Sequence, residues 1–436
     1  MTHEPSETAS EARIRFSAAI STRRDSAAAA DEVCDRILAD LSSTADPSRT
    51  SDLGIVHFTR DHARHAEAIE RIIHERLRVE TLIGVSASGV VGGAMQVRGA
   101  PGLSVMVGQL PGVSLHPFLL QDVPKAPERM TPGWARENIA PVVGLDRADA
   151  AGVLLFTDAF SVPLVRLMPS LSAARSSANI PILGGVASAG KAPGQNVLSL
   201  NGGFLHAGGI GVTLTGGIEI DCGVSQGCLG FGQTLLVTKC RGNVILELAG
   251  RRAVDVVREM VLDLAPEQRA RLGRGLFVGR VINEYKDHFG RDDFLIRGIR
   301  GFDEDAGAVL TDDFFRVGQT IRLHYRDPGT AEADLGMVID RARLRPAPAG
   351  ALMITCEDRD AGAAGSPGQD AATLSRAFKL PAHGADAAKG GTAFSPDTQG
   401  SFPIAGFEAA GEIGPVGDDV FLHTQSAVVA LFRGKH

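Results

Sequence analysis

Apolar positions fall along this chain in two alternating rhythms. Gly54-Ile55-Val56-His57-Phe58-Thr59 is apolar almost throughout, the pattern of a strand covered on both faces. Ala66, Ile69, Ile73 and Leu77 follow at three- and four-residue spacing, which predicts a helix with one buried side and Asp61 as its cap. Ahead of these, Ile14–Ile20 predicts a strand, and Arg24-Asp25-Ser26 opens an alanine-rich helix with Val33, Ile37, Leu38 and Leu41 inward. Leu82–Val85 and Leu103–Val107 predict two more strands, and the Pro-rich stretch Pro111–Trp134 reads as a connector. The rhythm then resumes with a strand over 152–157, a helix through Leu164, Leu167 and Leu171, and strands over 181–186 and 210–214.

Leu235–Thr238 and Val244–Leu248 flank a Gly242-Asn243 hairpin turn. A helix through Ala253, Val256, Val257 and Met260 follows, and then antiparallel strands over 276–282, 294–299 and 319–325. Arg326-Asp327 echoes Arg24-Asp25 at the start of another helix, and the chain closes on a strand over 426–432. Two Gly/Ala/Ser-rich insertions, Ala361–Gly368 and Ala382–Gly400, read as surface loops.

Two phrases occur three times. The strands Gly54–Thr59, Gly152–Thr157 and Gly350–Thr355 are followed by the turns Gly84–Gly89, Gly185–Gly190 and Gly406–Gly411. The copies lie roughly 100 and 200 residues apart, too far for a solenoid repeat of ~20–50 residues. The expected fold class is therefore α/β (mixed α+β), with internally duplicated units, mixed sheets and two fused domains over 14–230 and 231–436. Residues 1–13 read as a disordered tail. A chain of 436 residues exceeds the ~250–300 at which one core stops growing.

Composition removes several function classes. The net charge of −7 is spread without a Lys/Arg stripe, which argues against nucleic acid as a partner. The N-terminus lacks an apolar signal segment, and no apolar run reaches the ~18 residues of a membrane span. Five cysteines without a C-x-x-C pair suit reduced thiols, so a cytoplasmic location without a metal site is expected.

Candidate chemistry gathers at the repeated turns. Ligands of open α/β sheets sit beyond the carboxyl ends of parallel strands, where Gly and Ser residues let backbone amides approach an anion. That logic selects Thr59, Arg60, Gly84, Ser86, Ser88, Gly89, Ser188 and Gly411 as ligand-binding candidates. The third copy adds Cys356, Arg359, Glu412 and His423, with Arg359 able to clamp a carboxylate or to form an ion pair with Glu412. Gly185–Lys191 fails as a phosphate loop because Ala192 stands where Ser or Thr is needed. Gly84–Ser88 fails as a nucleophile elbow because it lacks the closing glycine, and its copies put Ala187 and Glu408 in place of Ser86. Among the histidines His57, His62, His65 and His74, His57 reads as a core residue aligned with Leu155 and Met353.

These residues resemble the FIST family, a FIST-N and FIST-C pair found in bacterial signalling proteins. The resemblance rests on the G-h-h-h-h-T strand, Gly84–Gly89, Leu103–Leu110 with Pro111, Val237-Thr238 with Gly242-Asn243, Arg297 with Gly318-Gln319, Cys356 with Arg359, and Gly411-Glu412-Ile413-Gly414-Pro415. It extends from about Phe16 to Phe432. It implies a small-ligand sensor in signal transduction, without catalysis, whose ligand is an amino acid or related carboxylate. Some members sense nitric oxide through haem, for which His423 and His206 are the candidates here. A hydrolase using Ser86 or Cys356 is a further alternative. The chain carries no kinase, cyclase, chemotaxis-receptor or F-box region of its own, so a separately encoded kinase or cyclase is the implied partner.

Overall fold

The computed structural model describes residues 13–44, 50–356, 359, 368–378 and 402–435. The expected tail, apart from Arg13, and nearly all of both glycine-rich insertions lie outside the described residues.

Three six-stranded sheets share one plan. The first module contributes β1 (Arg15–Ser21), β2 (Ser51–Thr59), β3 (Val79–Ala87), the hairpin β4 (Gly89–Gly92) and β5 (Met95–Arg98), and β6 (Leu103–Gln109). The second contributes β7 (Val113–Leu119), β8 (Ala150–Asp158), β9 (Ile182–Ala187), the hairpin β10 (Leu198–Leu200) and β11 (Gly203–Leu205), and β12 (Gly209–Gly216). The third begins with β13 (Ile218–Ser225) and is then interrupted by an inserted unit. That unit comprises β14 (Cys228–Arg241), β15 (Val244–Leu248), β16 (Arg251–Arg252), β17 (Leu276–Val281), β18 (Phe294–Asp303), β19 (Ala308–Thr311) and β20 (Thr320–Arg326). The third module resumes with β21 (Gly350–Cys356), β22 (Ile404–Ala409), the hairpin β23 (Glu412–Val416) and β24 (Asp419–His423), and β25 (Ala427–Gly434).

Each sheet is built on a parallel pair, β2/β3, β8/β9 or β21/β22, formed by the repeated strands. The three hairpins are exchanged in a cycle. The first sheet runs β1-β6-β2-β3-β10-β11, the second β7-β12-β8-β9-β23-β24, and the third β13-β25-β21-β22-β4-β5. Every module therefore completes the sheet of one neighbour and is completed by the other.

The inner faces of the sheets meet in a common core that includes Ile55, Leu154 and Leu352, with Ile83, Leu183 and Ala405 beside them. Helices cover the outer faces. Ser26–Thr44 and Ala66–Leu77 pack on the first sheet, Leu164–Ala174 on the second, and Pro328–Arg343 with Gln369–Ala377 on the third. The Arg-Asp echo is a shared helix cap: Asp25 Oδ1 accepts the Ala28 amide at 2.8 Å, and Asp327 Oδ2 the Thr330 amide at 2.8 Å. Asp61 instead lies in a separate single turn, and the longer helix starts at Ala66.

The inserted strands form an antiparallel ring, β14-β20-β17-β18-β19-β15, closed by pairing of β14 with β15. The Gly242-Asn243 turn joins that pair, with Gly242 at φ +62°. Other expectations also need correction. Pro111–Trp134 is not only a connector, because Val113–Leu119 forms an edge strand on β12, where Pro117 leaves no inner hydrogen bond unmade. β13 also has no counterpart among the expected strands.

Backbone hydrogen bonds fix which residues correspond. The amides of Thr59, Asp158 and Cys356 reach the carbonyls of Gly102, Gly208 and Ser426 at the same place in each sheet. Gly84, Gly184 and Gly406 then correspond, opposite Val56, Leu155 and Met353. The sequence phrases are thus each one residue out of step in one copy. The counterparts of His57 are Phe156 and Ile354, and those of Ser86 are Val186 and Glu408. Strands buried on both faces have no alternation to fix their register, which is why the slip occurs.

A Cβ on Gly184 or Gly406 would overlap the Leu155 or Met353 carbonyl of the parallel partner. Backbone cannot swing aside as a side chain can, so Gly184→Ala and Gly406→Ala are each expected to destabilise by about 3 kcal/mol or more. Gly336→Ala, in a helix with nothing near the added methyl, should stabilise by about 0.5–1 kcal/mol. Urea denaturation of the three variants measures the contrast.

Candidate ligand site at the strand-end corners

All three parallel pairs end at one place. The Ser188 amide donates to Ser86 O at 3.2 Å and the Ala410 amide to Val186 O at 3.0 Å. The third side of this triangle is closed by a side chain: the Ser88 amide donates to Ser188 Oγ at 2.8 Å, and that hydroxyl donates to Glu408 O. The corners are therefore tied into a ring. Their amides are spent on one another, so the expectation that they receive an anion through backbone N–H groups does not fit this geometry.

Glu408 is the hub beneath the ring. Its carboxylate is fully buried, and it accepts from Arg98 Nε at 2.7 Å, from Gln96 Nε2, and from Ser88 Oγ at 3.5 Å. Gln96 and Arg98 come from the β4–β5 hairpin of the first module, so this buried ion pair clasps the exchanged hairpin to the third sheet. A side chain on Gly89 would strike the Glu408 carboxylate. Glu408, Gln96 and Arg98 are absent from the candidates chosen from the sequence. The available signal is a lone carboxylate in the apolar run Ala405–Gly411, which requires a buried partner.

The second corner carries an insertion. Gly89 and Gly411 open their hairpins directly after the turn, whereas Val197 does so after the loop 189–196. Asn196 pins that loop: its Nδ2 donates to Asp158 Oδ1 at 2.9 Å and its Oδ1 accepts the Gly190 amide at 2.7 Å. Gly190 thus belongs to the insertion and has no counterpart in Gly89 or Gly411.

At the surface of the ring stand the half-buried Ser88 and Ser188, with their hydroxyls 3.3 Å apart, and the exposed Ala410. Arg60 is exposed beside them, its Nε donating to Ala189 O at 2.7 Å. The remaining candidates are interior. Thr59 Oγ1 accepts the Gly102 amide at 2.9 Å, and Ser86 Oγ accepts the Val197 amide at 2.8 Å. Gly84 leaves room for the Ser199 hydroxyl and the Glu70 carboxyl, which burial pushes up to about 7 against the effect of the Ser199 hydrogen bond.

Arg359 and Glu412 do not hydrogen-bond to each other. The Arg359 guanidinium is buried on Asp370, on Ser225 O at 2.9 Å and on Ser225 Oγ at 2.8 Å, so it is built into the third module and clamps no ligand. Glu412 accepts the Ser426 amide at 3.0 Å and hydroxyl at 2.7 Å, and burial pushes its carboxyl up to about 7. Cys356 is buried at the end of β21. Neither Cys356 nor the fully buried Ser86 has the open approach a nucleophile needs.

Haem finds no seat on the suggested histidines. His423 is buried with its Nε2 on Gly414 O at 3.1 Å, and His206 places Nδ1 on Asn196 O at 2.9 Å. Burial lowers the His423 pKa to about 3. Among the described residues no group of three His, Cys, Asp or Glu side chains is placed to hold a metal ion. A cleft of about 870 Å³ lies elsewhere, between β13, the second module and the inserted ring.

An exchanged three-sheet scaffold thus carries a polar knot at its strand ends, with Ser88 and Ser188 at its surface. The FIST N domain matches residues 52–251 and the FIST C domain residues 253–415, and the chain belongs to the FIST family of sensory, signal-transduction domains. An uncharacterized protein of Mycobacterium tuberculosis (strain CDC 1551 / Oshkosh) is 30% identical over 421 residues, covering 96% of this chain and 100% of its own. An uncharacterized protein of Mycobacterium bovis (strain ATCC BAA-935 / AF2122/97) is 30% identical over 426 residues, covering 96% and 99%. Among solved structures, a cyanuric acid hydrolase from A. caulinodans aligns at a TM-score of 0.24 and 12% identity over 49% of this chain and 72% of its own. So weak a likeness supports no statement about this chain. Among the described residues no helix is long and apolar enough to cross a membrane.

Below the knot, His57 is a core residue as expected. Its ring stacks on Phe407 at 5.1 Å and meets Phe156 edge-on at 5.8 Å, and neither ring nitrogen has a hydrogen-bond partner. Burial lowers its pKa to about 3. His57→Leu is expected to raise the unfolding free energy by about 1–2 kcal/mol at pH 7, because it removes an unsatisfied polar group. Between pH 6.5 and 3 the unfolded state binds the proton that buried His57 refuses. Wild-type stability therefore falls as pH drops through that window, by up to about 1.4 kcal/mol per unit, and the variant lacks this loss. Urea titrations at pH 7 and pH 5 should show the gap widening in acid; a constant gap would contradict the unpartnered ring.

Proposed function

We propose that the protein is a non-catalytic sensor that binds a small amino acid or related carboxylate at the strand-end knot and signals through a separately encoded kinase or cyclase in the cytoplasm. The observation that carries this reading is the placement of Arg60 at the lip beside the Ser88–Ser188 hydroxyl pair. Arg60 forms no ion pair among the described residues, and its guanidinium, held on the carbonyl of the residue after Ser188, suits a carboxylate. The other candidates, Thr59, Gly84, Ser86, Gly89, Cys356, Arg359, Gly411, Glu412 and His423, are buried and would act on the ligand only through the scaffold. Each corner reports on a different module, so a ligand spanning the ring acts on all three sheets at once.

A panel of L-amino acids and small carboxylates tested by thermal shift should contain a compound that raises the melting temperature. At a hundredfold excess over Kd the stabilisation is about 2.7 kcal/mol. Arg60→Ala should abolish the shift, and Ser88→Ala should weaken binding about tenfold, with the unliganded melting temperature little changed by Arg60→Ala. A panel with no shifting compound, or a shift that survives Arg60→Ala, would count against this site.

A further inference from the structure

The cleft of about 870 Å³ is bordered along one side by every residue from Ile218 to Val224. These belong to β13, which among the described residues pairs only with β25 and is the outermost strand of its sheet. One row of its backbone donors and acceptors therefore faces the cleft, and such an open edge is a template for a further strand.

The walls have a polarity along β13. The Pro328–Arg343 helix runs antiparallel to the strand: Asp334 Oδ2 accepts the Gly227 amide at 2.9 Å beyond one end, and Val338 packs on Gly223. Arg345, just past the helix, pairs with Asp221 and Glu219. Near the Ile218 end, Arg341 and Lys435 line the cleft, with the Lys435 amide on Gly217 O at 2.8 Å, and neither side chain forms an ion pair among the described residues. Near the Val224 end the inserted ring contributes Asp292, which has no ion pair among the described residues. A strand antiparallel to β13 would set its carboxyl end against Arg341 and Lys435 and its amino end against Asp292.

We infer that this cleft binds a short peptide with free termini, added to the edge of β13 as an antiparallel strand. β13 spans eight residues, about 26 Å at ~3.3 Å per residue, which accommodates a peptide of roughly five to seven residues. The size falls within the ~300–1,000 Å³ of small-ligand clefts. This site is separate from the strand-end knot. It also lies where the inserted ring joins the body through two neighbouring crossings, at Gln226-Gly227 and Arg326-Asp327, with the Asp327 amide on Gly227 O at 3.2 Å. A bound strand touches both sides of that joint.

Isothermal titration of the full chain with the pentapeptide Val-Thr-Val-Thr-Val tests the inference. Binding should weaken tenfold or more when the peptide is C-terminally amidated, when its alternate amides are N-methylated, or when the protein carries Arg341→Ala with Lys435→Ala. Hydrogen exchange of the amides within 218–224 should slow when peptide is present. N-acetylation should also weaken binding, and Asp292→Asn should do the same. Absence of binding by the peptide, or equal binding by its N-methylated form, would overturn the proposal. A free amino acid that binds while the pentapeptide does not, and is lost in Arg60→Ala, would overturn it while leaving the knot as the sensory site.

Discussion

The architecture depends on where three backbone edges find their partners. β3, β9 and β22 each end a parallel pair, and each would present a row of bare amides and carbonyls if its module stood alone. A buried backbone group left unpaired costs about 1–3 kcal/mol, so several along one strand would outweigh the net stability of a domain. Here β10, β23 and β4 supply the missing edges, each from another module. Cooperativity follows directly, because each sheet needs a hairpin from a second module and the three dependences close in a cycle.

The same constraint explains the chemistry under the corners. Glu408 and Glu70 are buried carboxyls whose partners, Arg98, Gln96 and Ser88 for the first and Ser199 for the second, arrive from distant parts of the chain, while Glu412 is held by the nearer Ser426. Removing Arg98 would leave the buried Glu408 charge uncompensated, so that pair acts as a registration pin more than as a net source of stability. The clasp of Glu408 on Arg98 and Gln96 identifies the correct hairpin for the third sheet. A hairpin from another module lacks that pair.

The repeated apolar strands, the Gly242 turn and the Arg-Asp helix starts were legible in the sequence because their signals are local: apolar runs, a glycine in a tight turn, and an aspartate three residues before a free amide. β7 was hidden by Pro117, which an edge strand tolerates, and β13 by the mixture of Ile218 and Ile220 with Glu219 and Asp221. The hairpin exchange was not legible at all, since hydrogen-bond partners more than a hundred residues away leave no trace in periodicity. Of the candidates chosen from the turn pattern, Ser88 and Ser188 approach each other at the surface, and Arg60 is held on the neighbouring Ala189 carbonyl. Arg359, Glu412 and His423 were chosen for their chemistry, but burial has turned them into structural members. Glu408 was passed over because its neighbours in sequence are apolar and its partners lie on another module.

The cyclic exchange has a temporal corollary. The second sheet contains β12, which ends at Gly216, yet its outer hairpin is not encoded until Glu412–His423. At ~5–20 residues per second of ribosomal elongation, that sheet waits on the order of ten seconds or more with its β9 edge bare. The nascent chain is thus exposed to off-pathway association throughout that interval, until Glu412–His423 emerges to cover the β9 edge.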